Sequence, residues 1–344
     1  MKRIIINGFF GKGNCGDEAI LQTWHEKLSN RFRIVASMDS NVADQKEYVD
    51  FDFYSEIDVI QNRRVDIFCR EDIYAYIIGG GGLGLGFGVE QWLHTILRSK
   101  KRLYLGTIVH NEFFNNNQDL ININKLFFKS FDMISVRDKK SKENLKEIFD
   151  IESSFYPDIA TALSLEEEEI KTNKRFITVT VRDNNVNDII SIEKWINKIK
   201  KYAIKNNFDI IYLPFDKTDE KLMESLSLDI KYEKIYWYPK KVKYIISKSE
   251  MCFSIGRFHP IIFGLSTGVT SYFINCQEQD SKWRYVDGDK DKNFEILNDY
   301  NSLEFYLTND DIKKEFKENS RSKEISKEIQ NNINEFFEKL NEIL

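Results

Sequence analysis

The stretch "MCFSIGRFHPIIFGLSTG", residues 251–268, concentrates the chain's most reactive side chains. An apolar run ends at Gly256, Arg257 and His259 follow, Pro260 suits the first turn of a helix, and Gly268 suits its end. Arg257 and His259 are therefore expected at the positive end of a helix dipole. Arginine offers a planar fork to phosphate or carboxylate, and histidine can give a proton near neutral pH. Two such groups side by side call for an anion. On one reading that anion is a ligand; on the other it is a neighbouring acidic side chain.

Three more stretches carry chemistry. "GFFGKGNCGDEAIL", residues 8–21, contains a G-x-G-x-x-G loop after the apolar Ile4–Ile6. Yet Asp17 and Glu18 follow Gly16 at once. Carboxylates suit a first helical turn but repel a pyrophosphate seated there, and without G-K-[S/T] there is no P-loop. Asn14, Gly16, Asp17 and Glu18 are better suited to sugar hydroxyls, with Asp17 also a candidate base; the competing reading is a purely structural first turn. In "IIGGGGLGLGFG", residues 77–88, Gly80, Gly81 and Gly82 either let backbone N–H groups approach a ligand or serve a tight crossing or a lid. In "FDMISVRDKKS", Arg137 stands where a strand gives way to a helix that Asp138 can cap, and reads as substrate contact or as ion pair. Of the remaining histidines, His25 and His94 fall in helical patterns, and His110 follows a strand end.

Short apolar runs alternating with longer amphipathic stretches must position these residues, the pattern of parallel sheets with helical crossovers. Strands are expected at 3–7, 33–37, 74–78, 102–108, 133–136, 154–156, 175–181, 210–214, 235–238, 251–254 and 269–275. Helices are expected at 17–28, 89–99, 120–129, 140–148, 191–205, 219–226, 240–249 and 260–266. The charged "SLEEEEIKTNK" reads as a linker. The expected fold is α/β: two Rossmann-like doubly wound domains facing a cleft, residues 1–165 and 172–310, then a C-terminal amphipathic helical segment over 311–344. Ligands of such sheets bind beyond the carboxyl ends of the strands, where every loop above falls.

Composition narrows the partners. A chain of 344 residues is long for one core, and a formal charge of -5 argues against a broad nucleic-acid footprint. Four scattered cysteines, none in a C-x-x-C pair, suggest a reducing, cytoplasmic setting and no metal site. No apolar run reaches the ~18 residues of a membrane span, so membrane association is expected to be peripheral at most.

Taken in order, G-F-F-G-x-G-N-x-G-D-E-A-I-L, G-G-G-G-L, S-V-R-D-x-x-S, Y-P-D-I-A and G-R-F-H-P-x-I-F-G-L-S-x-G-V resemble the polysaccharide pyruvyl transferase family, from Gly8 to about Val269. The resemblance implies a GT-B-like fold, with phosphoenolpyruvate as donor substrate, no cofactor, and a saccharide acceptor, free or lipid-linked, belonging to a cell-surface glycan or its precursor. It implies donor binding by Arg257, His259 and Gly256, with Arg137 contributing and Lys282 standing near where the family carries a lysine. His259 would be the general acid or would stabilise phosphate. Departures occur at "GTIVHNEF" after Leu105, at Phe258 and at Thr270. A nucleotide-sugar glycosyltransferase on the same architecture, and a non-catalytic glycan- or anion-binding protein, are the alternatives.

Overall fold

The strand β1 (Lys2–Asn7) is apolar on both faces at Ile4, Ile5 and Ile6, as a central parallel strand must be. In the computed structural model, which describes residues 1–38, 51–61, 73–81, 99–109, 118–182, 189–276 and 289–344, it lies mid-sheet. Gly82, His94, His110, Lys282 and all but the last residue of the helix expected over 89–99 lie outside those residues.

Two units emerge from the packing. The first comprises Met1–Lys12, Asp17–Ile159 and Asn332–Leu344; the second comprises Gly13–Gly16 and Ala160–Asn331. Two of these boundaries are unlike a simple division near residues 165–172: Gly13–Gly16 of the opening glycine loop belong to the second unit, and the C-terminal helix is shared.

In the first unit, β1 is joined by β2 (Phe32–Met38), β3 (Asp58–Gln61), β4 (Ile73–Gly81), β5 (Lys101–Thr107), β6 (Met133–Val136) and β7 (Ser154–Phe155). The order is β3-β2-β1-β4-β5-β6-β7 and every pairing is parallel. Strand order reverses between β1 and β4, so the loop after Asn7 and the glycines of β4 mark its switch point. Helices α1 (Cys15–Leu28), α2 (Phe51–Ser55), α3 (Gln118–Lys129) and α4 (Lys139–Phe149) connect the strands. Phe127, Phe128, Leu145 and Phe149 pack from α3 and α4 onto Tyr76, Tyr104 and Val136 of the sheet.

The second unit has β8 (Phe176–Val181), β9 (Asp209–Tyr212), β10 (Met251–Ile255), β11 (Thr270–Asn275) and β12 (Tyr306–Thr308), again all parallel, in the order β12-β11-β10-β8-β9. Its switch point lies between β8 and β10. Around it run α5 (Ile189–Lys205), α6 (Lys217–Ser225), α7 (Pro239–Ser247), α8 (His259–Thr267) and α9 (Asp289–Asp299). Helix α5 buries Ile192, Trp195, Ile196, Ile199 and Ala203, a stripe at three-to-four spacing. The last helix, α10 (Ser322–Ile343), buries Ile325 and Ile329 in the second unit and Ile333, Phe336 and Leu340 in the first. Trp24 meets Phe336 and Phe337 edge-on at 6.1 and 5.9 Å.

Two expectations change. Residues 235–238 form a 3₁₀ turn (Ile235–Trp237) instead of a strand: Lys234 before it takes a left-handed conformation, and Pro239 after it opens α7. Ile235 and Tyr236 are apolar because they are buried, without any sheet partner. The acidic stretch is tied down by its neighbours: the Tyr232 hydroxyl donates to the Glu169 carbonyl, and Lys241 pairs with Glu166 and Glu168. β3 and β12, short edge strands, were hidden by their weak patterns.

Candidate active site

Strand β10 ends, and Gly256, with φ of 80°, turns the chain at the carboxyl edge of the second sheet. The turn is fixed to both neighbouring strands: Gly256 N donates to Ile274 O, and Arg182 N, just past β8, donates to Ile255 O. Arg182, half-buried at the switch point, is a cation that the sequence patterns did not single out. Its signal was positional, the first residue after a fully buried strand.

His259 is the first residue of α8, and no side chain caps that helix. The imidazole, half-buried, lies directly on the backbone of Gly16: a Cβ built there would stand 1.9 Å from Nδ1 and 2.2 Å from Cγ. Gly16 occupies the first turn of α1, where the Asn14 side chain accepts its N–H at 3.1 Å. The G-N-x-G segment and the R-F-H-P segment, separated by more than 240 residues, thus meet at the amino ends of two helices. Within the second unit, the positive amino end of α8, the Gly16 backbone and an imidazole together make an anion-friendly corner.

Arg257 finds its counter-charge in side chains. Nε donates to Asp219 Oδ2 at 2.8 Å and Nη2 to Asp219 Oδ1 at 2.6 Å, a bidentate grip, while Asp216 Oδ2 takes the other Nη2 hydrogen. Asp216 also caps α6, accepting from Thr218 N at 2.8 Å and Asp219 N at 3.0 Å. Side-chain exposure falls from 20% at Asp216 and 10% at Arg257 to 0% at Asp219. Burial by itself would lower the Arg257 pKa, but the two carboxylates outweigh it and raise it. Burial likewise pushes Asp216 up, yet the guanidinium and the hydrogen bonds from Thr218 and Asp219 bring it below its ordinary value. The acidic pair lies in "FDKTDE", a D-x-x-D at a strand-to-helix junction; as a capping signature it was legible, as a partner of Arg257 it was not. Phe215 completes the assembly: its N–H donates to Asp219 Oδ2 at 3.1 Å, and its carbonyl accepts from Cys15 N at 2.8 Å.

Elsewhere several candidate residues have partners within the protein. Arg137 pairs with Asp158 at 2.6 Å, their side chains 1% and 0% exposed, so S-V-R-D and Y-P-D lock to each other inside the first unit. Asp138 caps α4. Glu18 is buried; it accepts Gly11 N at 2.7 Å and the Tyr54 hydroxyl at 2.5 Å, holding the loop shut. Asp17 stands half-buried in the same first turn. Gly80 lies under α1, where a Cβ would come within 2.8 Å of Ile20 Cγ2, and Gly81 ends β4. The buried Cys252 thiol is pushed up to about 12 by burial, which makes it inert. Among the described residues no group of three metal-ligating side chains occurs, and no helix is long and apolar enough to cross a membrane.

Two doubly wound parallel α/β units define the chain as GT-B-like, and solved structures agree. A UDP-glucosyltransferase from Polygonum tinctorium aligns with a TM-score of 0.57 at 9% identity, covering 99% of this chain and 98% of that one. A putative UDP-N-acetylglucosamine 2-epimerase from Listeria monocytogenes aligns at 0.53 and 13%, covering 97% and 92%. The calicheamicin glycosyltransferase CalG4 aligns at 0.54 and 11%, covering 100% and 98%. No curated protein sequence matches the chain. A family model described as "Polysaccharide pyruvyl transferase" matches residues 14–278, so this chain belongs to the polysaccharide pyruvyl transferase family.

Proposed function

We propose that the protein transfers the pyruvyl carbons of phosphoenolpyruvate onto two hydroxyls of a saccharide, forming a ketal and releasing phosphate. The observation that carries this reading is the convergence of His259, the uncapped amino end of α8 and the Gly16 turn of α1, beside an arginine held by carboxylates. The donor phosphate is seated at that corner, with Arg257 beside it. A proton adds to the methylene carbon, and C2 gains cation character. One sugar hydroxyl attacks C2 and gives up its proton; the bond from C2 to the phosphate oxygen then breaks, and the second hydroxyl bonds to the same carbon, its proton passing to the departing phosphate. Fixed dipoles and guanidinium hydrogen bonds that strengthen on the departing phosphate are the largest expected contribution. His259 either protonates the methylene carbon or stabilises the leaving phosphate, and proton transfer by such a group is worth ~10²–10⁴-fold.

Phosphate release from phosphoenolpyruvate in the presence of a panel of glycosides tests the reading. Release that depends on acceptor, and that falls at least ~10²-fold in His259→Ala, supports it. Absence of release with every diol acceptor, together with thermal stabilisation by nucleotide sugars alone, overturns it.

A further inference from the structure

A guanidinium has two edges that can grip an oxyanion bidentately: the side edge, Nε with Nη2, and the end edge, Nη2 with Nη1. In Arg257 the side edge is filled completely by Asp219. The end edge is half filled, because Asp216 Oδ2 takes the remaining Nη2 hydrogen and no described residue accepts from Nη1. The two aspartates are also unlike in setting. Asp219 is wholly buried and braced by Phe215 N; Asp216 is partly open, and its other oxygen is already committed to the α6 cap.

We infer that Asp219 and Asp216 have opposite effects on anion binding: Asp219 is the positioning residue that aims the Arg257 fork, and Asp216 is an internal stand-in for the ligand's anionic group, displaced from the end edge when a phosphate arrives. This inference rests on the proposed donor site, but only on its phosphorylated chemistry. The triad of one guanidinium and two carboxylates carries a formal charge of -1, so an incoming phosphate meets repulsion that comes mainly from the carboxylate nearest the open edge. Binding moves the shared Nη2 hydrogen bond from Asp216 to phosphate and adds a second from Nη1. Asp216 keeps its cap bonds throughout, so the exchange leaves α6 in place.

The test is calorimetric binding of phosphoenolpyruvate, inorganic phosphate and UDP to the full chain and to Asp216→Asn and Asp219→Asn, with melting temperature recorded for each. Asparagine and serine both cap helices well, so Asp216→Asn, or Asp216→Ser should the first fold poorly, removes the charge and spares the cap. Asp216→Asn is expected to tighten phosphoenolpyruvate and phosphate severalfold and to lower the melting temperature less than Asp219→Asn does; Asp219→Asn is expected to weaken both at least tenfold. If both variants weaken binding, or Asp216→Asn and Asp216→Ser leave it unchanged while the parent binds, the stand-in role is wrong and the donor reading survives. If UDP binds in place of phosphoenolpyruvate and Asp216→Asn tightens it, the stand-in role holds and the donor reading falls. If neither phosphate nor any of these ligands binds parent or variants, both fall.

Discussion

At position 16 the chain tolerates no Cβ, because the His259 ring lies where one would be. Gly16→Ala must push the imidazole off the first turn of α1, and misplacing a reacting group by about 1 Å costs on the order of 10²-fold in rate. We expect turnover to fall by about that factor while the melting temperature changes little, measured side by side on the same preparation; equal loss of both would place His259 in a packing role only. Arg257→Ala would leave Asp219 buried without a counter-charge, at about 3–5 kcal/mol of stability in chemical denaturation. Arg257→Lys keeps the charge and loses the fork, so it should fold yet bind the donor poorly. The same ion triad sets an acid limit. Asp216 titrates below its unfolded value of 3.8, so its stabilising share is complete above about pH 5 and disappears as pH falls through the depressed folded value. A melting-temperature profile that drops below about pH 4 in the parent, and drops less in Asp216→Asn, is the expected signature.

Among the elements, the glycines of β4 separate a ligand role from a packing role. Gly80 has φ of 94° and lies against Ile20 of α1, so Gly80→Ala strains the backbone and overfills the contact, a cost of about 1–3 kcal/mol. If packing is its whole task, denaturation shows the loss and phosphoenolpyruvate affinity stays at the parent value; an affinity change larger than the stability change would return Gly80 to the site. The pairing of Arg137 with Asp158 works at the same scale. It ties the start of α4 to the segment just before Ile159, where the chain leaves the first unit.

For the whole molecule, the last helix is decisive. Its residues from Asn332 onward complete the first unit, with Phe336 and Leu340 fully buried and Phe336 and Phe337 against Trp24. A chain ending at Asn331 should lose hydrogen-exchange protection in β1 and β4 while β8 and β10 keep theirs; protection retained throughout would show that the helix end is dispensable. Phe336→Ala should cost ~3–5 kcal/mol and report the same dependence without truncation.

The two parallel α/β units, nearly every strand of the described chain, the helix opening at Pro260 and the family were legible along the chain, because apolar runs, proline at a first turn and glycine motifs are local signals. The sequence also posed the question at Arg257, a cation in need of a partner. It took the folded chain to show that Asp216 and Asp219 supply that partner, that Gly16 receives the His259 ring, and that the C-terminal helix is divided between the units. Those facts depend on which carboxylates and glycines the crossovers bring together across many residues, and no periodicity along the chain encodes a distance in space.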